Sequence, residues 1–217
     1  MINTKTWLNF FRKNNVFVDS INIVCIADLH GRLRNENPFL PMLANADAVF
    51  LLGDNSYEDI RILDQYLDRN KTYGILGNHD TPDILDSFNI PNINGKNICV
   101  GKFRFVGWEG SHKYKNNMIG QTQSESESFC DQMLSLHGNN IDCLLSHDGP
   151  YREGIPNMAH VGLKGISKYM KLTSCVNIHG HLHESELLSP KEKCIYQIER
   201  IKLCKTSNGE CIIAQRG

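Results

Sequence analysis

Apolar runs and helical stripes alternate along this chain. Ile21–Ala27 is almost continuously apolar, as a strand buried on both faces would be, and Ala48–Leu52 repeats the pattern. Between them Asn35–Ala44 carries Pro38 and Pro41 and supports at best a short helix. Tyr57–Arg69 places Tyr57, Ile60, Leu63 and Leu67 on one helical stripe, and Thr72–Leu76 reads as a third strand. This β-α-β-α-β order predicts a largely parallel sheet with right-handed crossovers.

The second half continues the alternation. Asn97–Val100 and Phe103–Gly107 read as strands paired around a tight turn at Gly101-Lys102, followed by a polar stretch from Trp108 to Gln123. Ser124 and Glu127 match a capping box, which predicts a helix from about Glu125 to Leu136. Ile141–Ser146 is a strand, 149–162 a loop, Leu163–Leu172 a helix and Ser174–Ile178 a strand. The tail reads as two strands, Cys194–Leu203 and Glu210–Ala214, joined at Ser207-Asn208-Gly209. Together these elements predict an α/β layered fold.

At 217 residues, 41% apolar and 22% charged, the chain can bury one sizeable core, and a single domain over 1–217 is expected. Its formal net charge of -1 gives no global attraction to nucleic acid or membrane. No apolar run reaches the roughly 18 residues that a bilayer span needs. The segment Met1 to Asn15, with Trp7, Leu8, Phe10 and Phe11, lacks the continuous apolar core of a signal peptide and reads as a helix docked on the domain. The eight cysteines form no C-x-x-C pair, and Cys25 and Cys143 lie inside strand-like runs as small buried hydrophobes. A reducing cytoplasm is the expected location.

Chemistry is concentrated in short motifs in a fixed order: Asp28-Leu29-His30, Gly53-Asp54-Asn55, Gly77-Asn78-His79-Asp80, Ser146-His147-Asp148 and Gly180-His181-Leu182-His183. They supply carboxylate, imidazole and carboxamide donors, mostly at the carboxyl ends of strands, where open α/β sheets place ligands. Asp28 and His30 are two positions apart, and extended backbone would turn both to one side. Oxygen and imidazole donors without thiolate suit Mn, Fe, Zn, Co or Ni, with Mn or Fe foremost.

From about Ile21 to His183 these motifs resemble the calcineurin-like metallophosphoesterase superfamily. That resemblance implies a four-layer αββα sandwich of two mixed β-sheets flanked by helices. It implies that Asp28, His30 and His183 hold one divalent ion, that Asn78, His147 and His181 hold a second, and that Asp54 bridges both. It implies hydrolysis of phosphodiesters or phosphomonoesters by a hydroxide between the ions, with His79 assisting the leaving group and Asp80 orienting His79. The implied partner is a small phosphate ester, nucleotides included. A non-catalytic scaffold or metal-binding module on the same fold is the alternative, which loss of ligand residues would signal; all are present here.

Other residues carry weaker signals. Arg32, two positions after His30, is within reach of a substrate phosphate or lies on a solvated surface. Gly107-Trp108-Glu109-Gly110-Ser111 resembles a stretch of cyclic-nucleotide-phosphodiesterase-like members, so Trp108 either walls the pocket and stacks on a base or is buried at a strand end. His160 is a candidate for substrate contact. His112 and His137 read as solvated, and His179 as a satisfied strand residue or a partner of the ligands. Asp80 stands where protein Ser/Thr phosphatases of the superfamily carry Glu, and no Arg soon follows Gly53-Asp54, which argues against phosphoprotein substrates.

Overall fold

The structure is a computed structural model that describes residues 17–115, 119–183 and 189–216. The expected helix within Met1 to Asn15 lies outside the described residues. The first strand, β1 (Phe17–Ala27), begins before the apolar run, its leading residues alternating between half-buried and exposed positions. That leading part pairs only with the tail strand, while β2 (Ala48–Leu51) joins in parallel from Ile23 onward. A 3-10 turn, Leu40–Asn45, occupies the proline-containing crossover.

Helix α1 (Tyr57–Leu63) is shorter than its apolar stripe. The Asp68 carboxylate caps a separate 3-10 turn, Arg69–Lys71, by accepting from Asn70 N–H, and Asp64 pairs with Arg69. Such local side-chain bonds compete with helix propagation. Leu67 nevertheless packs on the same core as Ile60 and Leu63. After β3 (Thr72–Gly74) and the single turn α2 (Ile84–Ser87) come β4 (Asn97–Val100) and β5 (Phe103–Trp108), an antiparallel pair as expected. Short strands β6 (Ser111–His112) and β7 (Gly120–Gln121) then lead to α3 (Gln123–His137). Its capping box is Thr122 with Glu125, two residues ahead of the expected pair. The earlier start is fixed from outside, since the Gln123 side chain donates to Gly162 O and accepts from Lys164 N–H.

Strand β8 (Cys143–Ser146), helix α4 (Lys164–Thr173) and strand β9 (Val176–His179) follow. The tail departs from expectation. What reads as one strand from Cys194 is two: β10 (Glu192–Cys194) and β11 (Gln197–Thr206), which lie in different sheets, before β12 (Cys211–Arg216). The chain crosses between sheets at Ile195-Tyr196, and Gln197 takes φ 66° at the corner.

The two larger sheets have orders β12-β11-β1-β2-β3 and β10-β9-β8-β5-β4, and each mixes parallel and antiparallel pairs. Their facing side chains, including Ile23, Cys25, Phe50, Phe105, Leu145, Ile178 and Ile201, form one inter-sheet core. Val24, Ile26, Val49 and Leu51 point the other way, onto α1, α2 and the Leu40–Asn45 turn. On the opposite outer face Val106, Trp108 and Leu144 pack against α3 and α4 through Met133, Ile166 and Tyr169. The result is the four-layer αββα sandwich. All eight cysteines are free thiols, and all but Cys99 are buried. No helix among the described residues is long and apolar enough to cross a membrane.

One buried carboxylate fixes the loop after β1 to α1. Asp59 accepts from the backbone N–H groups of Gly31, Leu33 and Ser56 and from the Ser56 hydroxyl. Asp59→Ala orphans those donors and should cost on the order of 3 kcal/mol. Urea unfolding measures it, and a midpoint equal to that of the parent protein would contradict this role.

Candidate metal centre

The carboxyl ends of β1, β2, β8 and β9, with the turn after β3, converge at one end of the sandwich. Asp28 N–H donates to Gly53 O and His30 N–H to Asp54 O, locking the first two turns together. Gly180 N–H donates to His147 O, locking the two turns of the other sheet. Asp28, His30, Asp54, His181 and His183 all adopt positive φ, between 48° and 68°. This corrects the expectation that Asp28 and His30 lie on extended backbone. Left-handed backbone is costly for such residues and persists where surrounding contacts impose it. Gly77 is required at closest approach: a Cβ there would collide with the Asp54 carboxylate.

Asp28 and Asp54 each use one oxygen for structure and leave the other without a hydrogen-bond partner among the described residues. Asp28 Oδ2 accepts from His181 N–H at 2.8 Å, and Asp54 Oδ1 from His79 N–H at 2.9 Å. Asp28 Oδ1 and Asp54 Oδ2 are buried with no hydrogen-bond partner among the described residues. Imidazoles surround them. His183 Nε2 lies 3.5 Å and His30 Nε2 3.9 Å from Asp28 Oδ1, and the two nitrogens are 3.3 Å apart. Asp54 Oδ2 lies 3.8 Å from His30 Nε2 and 3.5 Å from His147 Nε2. Potential ligand atoms thus gather in two groups, Asp28-His30-His183 and Asp54-His147-His181, each within 4.8 Å of one another. Asn78 Oδ1 joins the second group, 2.9 Å from His147 Nε2.

Backbone carbonyls set the tautomers. A carbonyl only accepts, so His147 Nδ1–H donates to Leu52 O (2.7 Å) and His181 Nε2–H to Ala159 O (2.5 Å). That leaves Nε2 of His147 and Nδ1 of His181 as the free lone pairs. Nε2 of His147 then faces Asn78 Oδ1 and Asp54 Oδ2, so with the Asn78 amide in this orientation three acceptors converge. A proton or a cation must satisfy them. Without an ion a proton does: burial opposes a charged His147, but the Asp54 carboxylate outweighs it and pushes the imidazole up to about 10. Burial alone would raise Asp54, yet His147 holds it well below the usual carboxylate range. Burial pushes Asp28 up to about 6 and drives His181 down to about 4. It lowers His30 and His183 as well, and the charge of Arg32 adds to that lowering. The orphaned oxygens and donor-free lone pairs fit divalent cations.

Several expected site residues take other places. The His79 ring is exposed and 5.9 Å from the ring of His30, at the mouth of the ligand cluster. Asp80 does not orient it. Its carboxylate accepts from the backbone N–H groups of Asp54, Asn55 and Gly77, joining the turns after β2 and β3. Trp108 is fully buried between α3 and α4 with its indole N–H on Gln121, so it neither walls the pocket nor stacks on a base. Its strand delivers it to the outer core. Arg32 is exposed and donates to the Tyr196 hydroxyl. The His160 ring lies 5.3 Å from that of His181.

His112 is buried, not solvated, and its backbone N–H donates to Asp148 Oδ2. His137 closes α3 beside Gly95 O. Buried His179 donates to Gly180 O and Glu192, which also pairs with Arg152. Sequence reading missed Asp59, Tyr196 and the Ala159 carbonyl. The spacing Ser56-x-x-Asp59 was a signal for the first; nothing in the sequence flags the other two.

A family model described as calcineurin-like phosphoesterase superfamily domain matches residues 21–198. No curated protein matches the chain. Among solved structures, TT1561 of Thermus thermophilus is 17% identical, with a TM-score of 0.53 over 75% of this chain and 82% of its own. Yfce, a phosphoesterase from E. coli, is 12% identical, with a TM-score of 0.45 over 91% of this chain and 98% of its own. The Thermus likeness shows the fold.

The charge balance at His147 predicts a pH effect. With a folded value of about 10 against an ordinary 6.5, its contribution to stability is fully present below 6.5 and is lost as pH rises through about 10. An ion on Nε2 displaces that proton, so the loaded protein has no such loss. The rise in melting temperature on adding Mn(II) should therefore grow between about pH 7 and about pH 9. A shift that stays constant over that range would contradict the assignment.

Proposed function

The chain belongs to the calcineurin-like phosphoesterase superfamily, and we propose that it is a phosphoesterase that works with two divalent metal ions on small phosphate esters in the cytoplasm, residues 1–217 forming one catalytic domain. Asp28, His30 and His183 would hold one ion, Asn78, His147 and His181 the other, and Asp54 would serve both. The observation that carries this reading is Asp54 Oδ2, a buried carboxylate oxygen without a hydrogen-bond partner among the described residues, which faces one imidazole from each ligand group. Two ions there, Mn or Fe foremost, would supply Lewis acidity toward the phosphoryl oxygens and acidify water near neutral pH.

The chain's own residues then divide the remaining work. Asp54 is held by His79 N–H, and its turn by Asp80, so the shared oxygen is fixed before substrate arrives. His79 presents an exposed ring beside this set and would donate a proton to the departing oxygen. Arg32 would meet the phosphoryl group from the His30 and His183 side, and His160 from the side of His181. The buried Trp108 withdraws the base-stacking argument for nucleotides, so monoesters and diesters are both retained as substrates.

Turnover of bis(p-nitrophenyl) phosphate or of p-nitrophenyl phosphate by the Mn-loaded protein tests the proposal, and no turnover of either with any divalent ion would overturn it. His79→Ala should keep both ions and lower kcat by about 10²–10⁴-fold for esters with alkoxide leaving groups. The loss should be smaller for p-nitrophenolate, which needs little protonation. Equal losses on both, or an emptied metal site, would remove His79 from the role of acid.

A further inference from the structure

Tyr196 sits at the crossing between the sheets. Ile195 N–H donates to His179 O at 2.6 Å, which anchors the crossing beside the strand that leads into Gly180-His181-Leu182-His183. Tyr196 N–H donates to Glu199, whose carboxylate pairs with the buried Lys193 at 2.7 Å. From this anchored position the half-buried phenol makes two contacts. Its ring stacks on His183, with centroids 5.9 Å apart and planes 27° apart. Its hydroxyl accepts from Arg32 Nη1 at 2.7 Å.

The second contact is unusual for an exposed arginine. A solvated guanidinium gains little from a neutral phenol and gives up side-chain freedom to stay there. Through Tyr196, Arg32 is held on the His183 side of the ligand cluster, where a bound cation would make its place electrostatically unfavourable until an anion arrives. A phosphoryl group bound beside those ligands reverses that balance, and a guanidinium already fixed in orientation loses less entropy on meeting it.

Resting on the phosphoesterase reading above, we propose that Tyr196 is a positioning residue for phosphate recognition: its hydroxyl fixes Arg32 toward the phosphoryl anion, and its ring braces His183. The two functions are separable. Tyr196→Phe keeps the ring and removes the hydroxyl, while Tyr196→Ala removes both.

Binding of inorganic phosphate to the Mn-loaded protein, measured by calorimetry, reads the first function without requiring turnover. Tyr196→Phe should weaken phosphate by about 3-fold to about 10-fold, because Arg32 must then be ordered on binding. In an Arg32→Ala background the same change should weaken it by less than about 2-fold, because the hydroxyl acts through Arg32. Metal content reads the second function: Tyr196→Phe should retain two ions per chain, and Tyr196→Ala should lose affinity for one. An equal loss from Tyr196→Phe in both backgrounds, or unchanged phosphate affinity in the single variant, would overturn the proposal. Phosphate binding without ester turnover in the parent protein would instead overturn the enzymatic reading and leave this cycle interpretable.

Discussion

The arrangement depends on how two buried aspartates divide their oxygens. Asp28 and Asp54 each give one oxygen to a backbone N–H from another motif and turn the other, unpartnered, toward imidazoles. Leaving carboxylate oxygens buried and unsatisfied is costly, and the chain bears that cost twice within one cluster. The geometry also demands left-handed backbone at Asp28, His30, Asp54, His181 and His183. Strain and orphaned charge at the same residues mark a site built for a ligand rather than for stability.

The rest of the fold holds this end of the sandwich in place. Asp80 gathers three backbone N–H groups from the turns after β2 and β3, and Asp59 gathers those of the loop after β1. Leu52 and Ala159 carbonyls choose the tautomers of His147 and His181. The inter-sheet core, in which Cys25 and Phe50 meet Leu145 and Ile178, sets the distance between motifs borne by different sheets. Function at this end therefore rests on packing some way from it, and the Lys193–Glu199 pair behind Tyr196 is one such support.

Much of this was legible in the sequence, because buried strands are apolar runs and the polar residues that interrupt them stand out. The strands carrying Asp28, Asp54, His147 and His181 follow from Ile21–Ala27, Ala48–Leu52, Ile141–Ser146 and Ser174–Ile178 to within a few residues. What stayed hidden depends on long-range contacts. Trp108 looks equally suited to a pocket wall or a core, and only α3 and α4 decide. The break at Ile195-Tyr196 lies inside a continuous alternating pattern, since both sheets bury the same kind of side chain. Asp80 has the same letter whether it serves an imidazole or backbone amides. The start of α3 had two overlapping capping boxes, and Gln123 selects one through Gly162 and Lys164.

Under the proposed function, Asp54 would serve both ion sites. Anomalous diffraction from crystals grown with Mn(II) tests it most directly. Two peaks are expected flanking Asp54 Oδ2, one against Asp28, His30 and His183 and the other against Asn78, His147 and His181. A single peak, or two peaks with Asp54 contacting only one, would contradict it.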